Sequence, residues 1–138
     1  MKISARIVSQ KEEHRVLLAT GEHEHSLAIP PKPDGFGSSA NGGELLFLAL
    51  ATCYCNDLYR EAKKRGIVIR RVEVEVAGEF GGEGEPARNI TYRASLASNA
   101  PREAVVELMM HTDSVAEVHN TLRRSLPVTL SKCEVLES

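Results

Sequence analysis

The chain has 138 residues, a formal net charge of −2, and 42% hydrophobic residues. This length suits one domain with its own core, so we predict a single domain over residues 1–138. Charges of both signs are mixed along the chain, which leaves no basic patch for nucleic acid. The amino terminus lacks the apolar stretch of a secretory signal, which predicts a cytoplasmic protein with no membrane partner.

The first thirty residues predict an antiparallel meander of three strands. Residues 2–9 alternate between apolar and polar, and the alternation resumes around Val16 and again from His23 to Ile29. His23 and His25 have the spacing of two metal ligands, but no third ligand accompanies them, so neither a metal nor a cofactor is predicted. Residues 30–40 hold three prolines and two glycines, which indicates a loop.

A long helix is predicted between Asn41 and Gly66, and the rest of the fold is expected to surround it. Asn41 followed by Glu44 is a variant of the capping box, and Gly66 after three basic residues is a common end signal. Residues 45–51 are apolar at every position, so this part of the helix must be covered on all sides. Because one sheet and two short helices cover too little, we predict a homodimer.

The second half of the chain predicts two strands, two short helices and a last strand. The strands centre on residues 72–76 and 90–96, and a helix follows from Pro101 to about residue 111. Ser114 and Glu117 have the spacing of a capping box for the next helix, and residues 128–136 alternate like a strand with a bulge. This order of elements predicts an α+β fold.

Cys53 and Cys55, in the middle of the long helix, are its most distinctive chemical groups. A free cysteine is often only a small buried apolar residue, and its reactivity depends on how well the thiolate is stabilised. Asp57, four residues after Cys53, shares its helix face and raises the pKa of the thiol unless a cation neutralises the carboxylate. Cys55 lies about 200° around the helix from Cys53, which makes a disulfide between them unfavourable.

Asn56 and Asp57 have two interpretations. They mark the point where the helix emerges from its apolar surroundings into water, or they line a cavity together with Cys53. The spacing of the residues favours neither.

The segments NGGELLFLALATC (residues 41–53) and AEVHNTL (residues 116–122), in this order of elements, resemble the OsmC/Ohr proteins. These are the osmotically inducible protein C and organic hydroperoxide resistance proteins. The resemblance implies an α+β OsmC-like fold, with antiparallel sheets around the long helix, in an intertwined homodimer. It also implies thiol-dependent reduction of hydroperoxides, in which one cysteine attacks the peroxide, a second resolves the sulfenic acid, and an arginine–glutamate pair activates the first.

Cys53 matches the peroxide-reacting cysteine of that family, whereas Ala116 occupies the place of the second cysteine. The family arginine lies in a Gly-Gly-Arg turn that this chain lacks, so Arg15 is the candidate for its role. The family glutamate precedes the cysteine by ten residues, at the position of Gly43 here. Glu44, nine residues before Cys53, is the catalytic candidate, although the capping box explains it better.

Two classes of function compete at this point. The first is a Cys53-dependent hydroperoxide reductase that uses an external thiol, since Ala116 cannot resolve a sulfenic acid. The second is a dimer of the same fold that binds another small ligand without peroxide chemistry, or that is purely structural. In the binding interpretation, Asn56, Asp57 and Ala116 line the pocket.

Overall fold

The computed structural model describes residues 1–136, and its contacts divide the chain into two compact units. The first unit comprises residues 1–46 and the second begins at Phe47, so the long helix starts in one and continues in the other. None of the helices in the described part of the chain is long and apolar enough to cross a membrane. The elements are β1 (Ile3–Gln10), β2 (Glu13–Thr20), β3 (His23–Ser26), α1 (Gly42–Lys64), β4 (Ile69–Glu79), β5 (Arg88–Ser98), α2 (Arg102–Val115) and α3 (Glu117–Arg123).

The first unit contains the predicted meander, with strand order β1-β2-β3 and antiparallel pairing throughout. A two-residue turn joins β1 to β2, and its second residue, Glu12, has φ of 64°. The Glu12 amide donates to the carbonyl of Gly35 at 2.8 Å, which ties the loop before α1 to this turn. Gly35 has φ of 90°, a backbone conformation that L side chains rarely adopt, so this position favours glycine.

Helix α1 begins with the predicted capping box. The Glu44 amide donates to Asn41 Oδ1 at 2.8 Å, and the Asn41 amide donates to Glu44 Oε1 at 2.9 Å. These two bonds satisfy backbone donors that the first helical turn would otherwise leave unpaired. The helix ends at Lys64, and Gly66 follows with φ of 66°, as the end signal predicts.

The core of the second unit lies between α1, α2 and the β4–β5 hairpin. Tyr54, Leu58 and Ala62 recur every four residues on α1 and pack with Leu108 of α2. The Tyr54 hydroxyl donates to the carbonyl of Met109 at 2.9 Å, which gives this polar tip a partner inside the core. One face of the hairpin packs against this cluster through Val72, Val74, Tyr92, Ala94 and Leu96.

The junction between the two short helices differs from the prediction. Helix α2 continues to Val115, and the Ser114 hydroxyl donates to the carbonyl of His111 instead of capping the next helix. Helix α3 starts at Glu117 after Ala116, which has extended backbone geometry and makes no side-chain cap. The predicted capping box of Ser114 and Glu117 is therefore wrong, because Ser114 satisfies its hydroxyl within its own helix turn.

The predicted last strand is also absent from the single chain. Within the described residues, 126–136 have no regular secondary structure and join neither sheet. A strand requires hydrogen bonds to a neighbouring strand, and this segment pairs with none of the five strands. Its apolar side chains are instead open to solvent, with Val128 99% and Leu130 80% exposed.

Candidate thiol site

Cys53 is half-buried on α1, and its thiol faces the start of α3. The thiol donates to Asp57 Oδ2 at a sulfur–oxygen distance of 3.6 Å. The four-residue spacing on one helix explains this contact. The backbone of Val118, in the first turn of α3, also hydrogen-bonds the sulfur and stabilises its ionised form.

Asp57 joins the thiol to a second carboxyl group and to a cation. Atoms of Cys53, Asp57 and Glu117 all lie within 4.8 Å of one another. Arg60 Nη1 contacts Asp57 Oδ1 at 3.2 Å and Glu117 Oε2 at 3.0 Å, so one guanidinium nitrogen bridges both carboxyl groups. Asp57 is therefore held with one oxygen towards Arg60 and the other towards the sulfur. We call these four side chains the thiol cluster.

Burial, followed by the charge and hydrogen bond of Asp57, raises the pKa of the Cys53 thiol above its ordinary value. The hydrogen bond from Val118 opposes this shift without cancelling it. Arg60 is the cation beside Asp57, and it contacts the two carboxyl groups and not the sulfur. The pKa of the thiol is raised even with this cation present. The resting sulfur at neutral pH is consequently a thiol.

The two carboxyl groups of the thiol cluster shift in opposite directions. Burial and the neighbouring Glu117 raise the pKa of Asp57, which is only 7% exposed. The pKa of Glu117 is lowered by its own backbone amide, by the hydrogen bond from Asp57 and by Arg60. Two carboxylates this close resist simultaneous ionisation, so Asp57 is the member of the pair that takes up a proton first as the pH falls.

Arg60 is fixed from its other side by Glu61. The Nε atom of Arg60 donates to Glu61 Oε2 at 2.8 Å, and Lys64 Nζ donates to the same oxygen at 3.0 Å. His111 Nε2 lies 3.1 Å from Glu61 Oε1 and brings α2 into the network. Because Glu61 is only 5% exposed, these bonds hold a buried carboxylate that anchors the arginine of the thiol cluster.

Asn56 and Ala116, the other proposed pocket residues, have surroundings different from those of Asp57. Asn56 is exposed and lines an open groove of about 330 Å³ with Cys55, Thr52 and Val74. Ala116 is fully buried at the start of α3. The pocket formed by Asn56, Asp57 and Ala116 stays a prediction, with only Asp57 placed against the Cys53 sulfur.

Arg15 and Glu44 belong to the first unit. Arg15 lies on β2 and forms an ion pair with Glu13 at 3.1 Å. Glu44 accepts the hydrogen bond of the helix cap described above. The contacts of both side chains are thus explained within their own unit, and their catalytic roles remain predictions.

Arg60 and Glu117 are the members of the thiol cluster that sequence reasoning missed. Arg60 is three residues after Asp57, so the helix period alone places it next to that carboxyl group. Glu117 has no such signal, because 60 residues separate it from Asp57 and only tertiary structure brings them together. Its position immediately after Ala116, where the resembled family has its second cysteine, was the available clue.

Sulfur and carboxylate oxygen are ligand types that zinc accepts. In the thiol cluster, however, hydrogen bonds and the bridging guanidinium already account for the close approach of these atoms. We therefore assign no metal to it.

The architecture and the site together define an α+β protein with a cysteine halfway along its longest helix, next to a second, short helix. The model of the family described as OsmC-like protein matches residues 35–131. The chain belongs to this family, which confirms the resemblance and the OsmC-like fold inferred from the sequence.

Solved structures of OsmC-like proteins agree in fold. An OsmC-like protein from Mycoplasma pneumoniae has 21% identity and a TM-score of 0.64, over 91% of this chain and 89% of its own. The organic hydroperoxide resistance protein OsmC of Legionella pneumophila has 17% identity and a TM-score of 0.57, covering 89% and 90%. An organic hydroperoxide resistance protein of Elizabethkingia anophelis has 18% identity and a TM-score of 0.52, covering 91% and 90%. No curated protein matches the chain.

Proposed function

We propose that this protein reduces organic hydroperoxides through Cys53. The sulfur attacks the terminal peroxide oxygen, the O–O bond breaks, and the products are a Cys53 sulfenic acid and an alcohol. Two equivalents of an external thiol then return the cysteine to its reduced form, giving a disulfide and water. The observation that carries this proposal is the position of Cys53, half-buried on α1 with ionisable side chains beside its sulfur.

The names of structural relatives support the same chemistry. The proteins from Legionella pneumophila and Elizabethkingia anophelis are both described as organic hydroperoxide resistance proteins. At 17% and 18% identity they establish the fold alone, so the activity of this chain rests on its own thiol cluster.

An external reductant follows from the placement of the cysteines. All three are free thiols, and Ala116 stands where the resembled family has its resolving cysteine. Cys55 points away from Cys53 into the groove, and Cys133 lies in the exposed carboxyl-terminal segment. We place the protein in the cytoplasm, where small thiols are kept reduced.

We also propose that the working form is a homodimer. Leu48, in the fully apolar part of α1, is 56% exposed in the single chain. The carboxyl-terminal segment presents Val128, Leu130 and Val135 to solvent and has unused backbone hydrogen-bonding groups. Apolar surface of this kind is typical of subunit interfaces, and a second copy would cover it.

A non-peroxidatic binding protein is the alternative, and the open groove is the observation that favours it. The groove between α1 and β4 combines apolar walls with the Asn56 amide and the Cys55 thiol. A small ligand held there would make no contact with the thiol cluster on the other side of the helix. Native mass spectrometry of the protein purified from cells, showing a retained small molecule, would support this alternative.

The proposal predicts that Cys53→Ser abolishes the consumption of cumene hydroperoxide in the presence of dithiothreitol, because serine cannot form a sulfenic acid. Cys55→Ser and Cys133→Ser are matched controls and should keep most of the activity. The measurement is peroxide loss under excess reductant, with the Cys53 sulfenic acid trapped by dimedone and located by mass spectrometry. Turnover that survives in Cys53→Ser at the rate of the parent protein would contradict the proposal.

A further inference from the structure

Among residues 1–136, Asp57 is the one ionisable side chain in hydrogen-bonding contact with the Cys53 sulfur. Its Oδ2 atom accepts from the thiol at 3.6 Å, and its Oδ1 atom is held by Arg60 at 3.2 Å. Because the two oxygens have different partners, Oδ2 can exchange a proton with the sulfur while Oδ1 stays bound to Arg60. This arrangement is fixed from α3 as well, since Arg60 also binds Glu117 at 3.0 Å.

The surroundings of Asp57 make its carboxylate more basic than that of an exposed aspartate. Cys53 and Arg60 face it from α1 and Glu117 faces it from α3, and burial and Glu117 raise its pKa. A base is most effective when its pKa approaches the working pH, because it then both accepts and releases a proton readily. The Cys53 thiol, whose own pKa is raised, still carries its proton near neutrality, and that proton must leave the sulfur as the sulfur attacks a peroxide.

We propose that Asp57 is the acid–base catalyst of Cys53, and that Glu117 and Arg60 are positioning residues for it. This inference rests on the proposed peroxide reduction. Asp57 takes the thiol proton as the sulfur attacks the terminal peroxide oxygen. The O–O bond breaks, the sulfur is oxidised to the sulfenic acid, and the departing alkoxide receives that proton from Asp57 and leaves as the alcohol.

A purely electrostatic role of Asp57 and a proton-transfer role predict opposite changes in reaction rate when Asp57 is removed. If the carboxylate only disfavours the thiolate, its removal lowers the thiol pKa and speeds every reaction of the sulfur. If it also transfers the proton, its removal slows the reaction whose leaving group must be protonated. Iodoacetamide separates the two cases, because iodide departs without a proton whereas an alkoxide departs poorly without one.

The experiment compares Asp57→Asn with the parent protein in two single-turnover reactions between pH 5 and 9. With cumene hydroperoxide, the variant should be slower by about 10²-fold at pH 7, the scale of general acid–base catalysis, and should approach the parent rate at alkaline pH. With iodoacetamide, the variant should react faster at pH 7. Glu103→Gln, an exposed acid in the first turn of α2, is the control and should change neither rate.

Glu117→Gln keeps the inference testable if Asp57→Asn does not fold, since the Glu117 side chain is 66% exposed. The peroxide rate should fall on the acid side as Asp57 becomes protonated, and loss of the Glu117 charge should move that fall to lower pH. An Asp57→Asn variant as fast as the parent with peroxide, or an unmoved acid limb in Glu117→Gln, would overturn the acid–base role. A parent protein that is alkylated at Cys53 but ignores hydroperoxide would overturn the proposed function itself.

Discussion

The Glu61 carboxylate accepts hydrogen bonds from side chains of both α1 and α2. Hydrogen bonds from Arg60, Lys64 and His111 lower the pKa of its carboxyl group to about 2, against an ordinary value in water of about 4.3. The unfolded chain therefore binds a proton at this position at a higher pH than the folded chain does. The stabilisation is complete above the unfolded-state pKa and is lost as the pH falls towards the folded-state value.

We expect Glu61→Gln to lower the free energy of unfolding at pH 7 and to reduce its loss between about pH 5 and 2, because the linked proton is gone. Glu75→Gln is the matched control, since Glu75 forms an exposed ion pair with Arg93 and such pairs contribute about 0–1 kcal/mol. Urea unfolding at pH 7 and pH 3 measures both effects. Equal acid slopes in the variant and the parent would show that Glu61 is not the linked group.

At the scale of the element, the start of α1 tests whether a local signal in the sequence is also energetically significant. Asn41→Ala removes the oxygen that accepts from the Glu44 amide at 2.8 Å. Loss of an N-cap side chain costs about 1 kcal/mol, so we expect a destabilisation of that size in urea unfolding. Asn99→Ala, at an exposed position after β5, should leave the stability unchanged. A loss below about 0.3 kcal/mol would mean that water or another group replaces the cap.

The contrast between α1 and α3 shows which elements can be predicted from sequence. Helix α1 carries its own start and end signals at Asn41 and Gly66, and both have the predicted geometry. Helix α3 begins after Ala116, which has no capping side chain, so its position depends on packing. The prediction at Ser114 was wrong for the same reason. Its hydroxyl could bond within α2 or cap α3, and because α2 continues to Val115 it bonds within α2.

The thiol site divides in the same way. Cys53, Asp57 and Arg60 follow one another at helical spacing, so their proximity is implied by the chain itself. Glu117 joins them only because α3 packs beside α1, and no periodicity links residues that far apart. Sequence reasoning therefore identifies the sulfur and its nearest carboxyl group, while the second carboxyl group needs the tertiary structure.

At the scale of the whole molecule, the exposed apolar residues predict association. Leu48→Glu places a charge in the apolar part of α1, and we expect it to convert a dimer into a monomer because a buried unpaired charge opposes association. Light scattering should give twice the chain mass for the parent and the single mass for the variant. Arg102→Glu, at an exposed position at the start of α2, should keep the parent mass. A parent protein that scatters as a single chain would contradict the dimer.

Cys53 and Cys55 have different surroundings, one beside Asp57 and the other in the groove with Asn56. Opposite sides of one helix thus carry two separately addressable sulfurs. In a Cys53→Ser and Cys133→Ser background, Cys55 is the remaining thiol, and a maleimide dye attached to it would report on the occupancy of the groove. In a Cys55→Ser and Cys133→Ser background, the same dye would attach beside Asp57 instead.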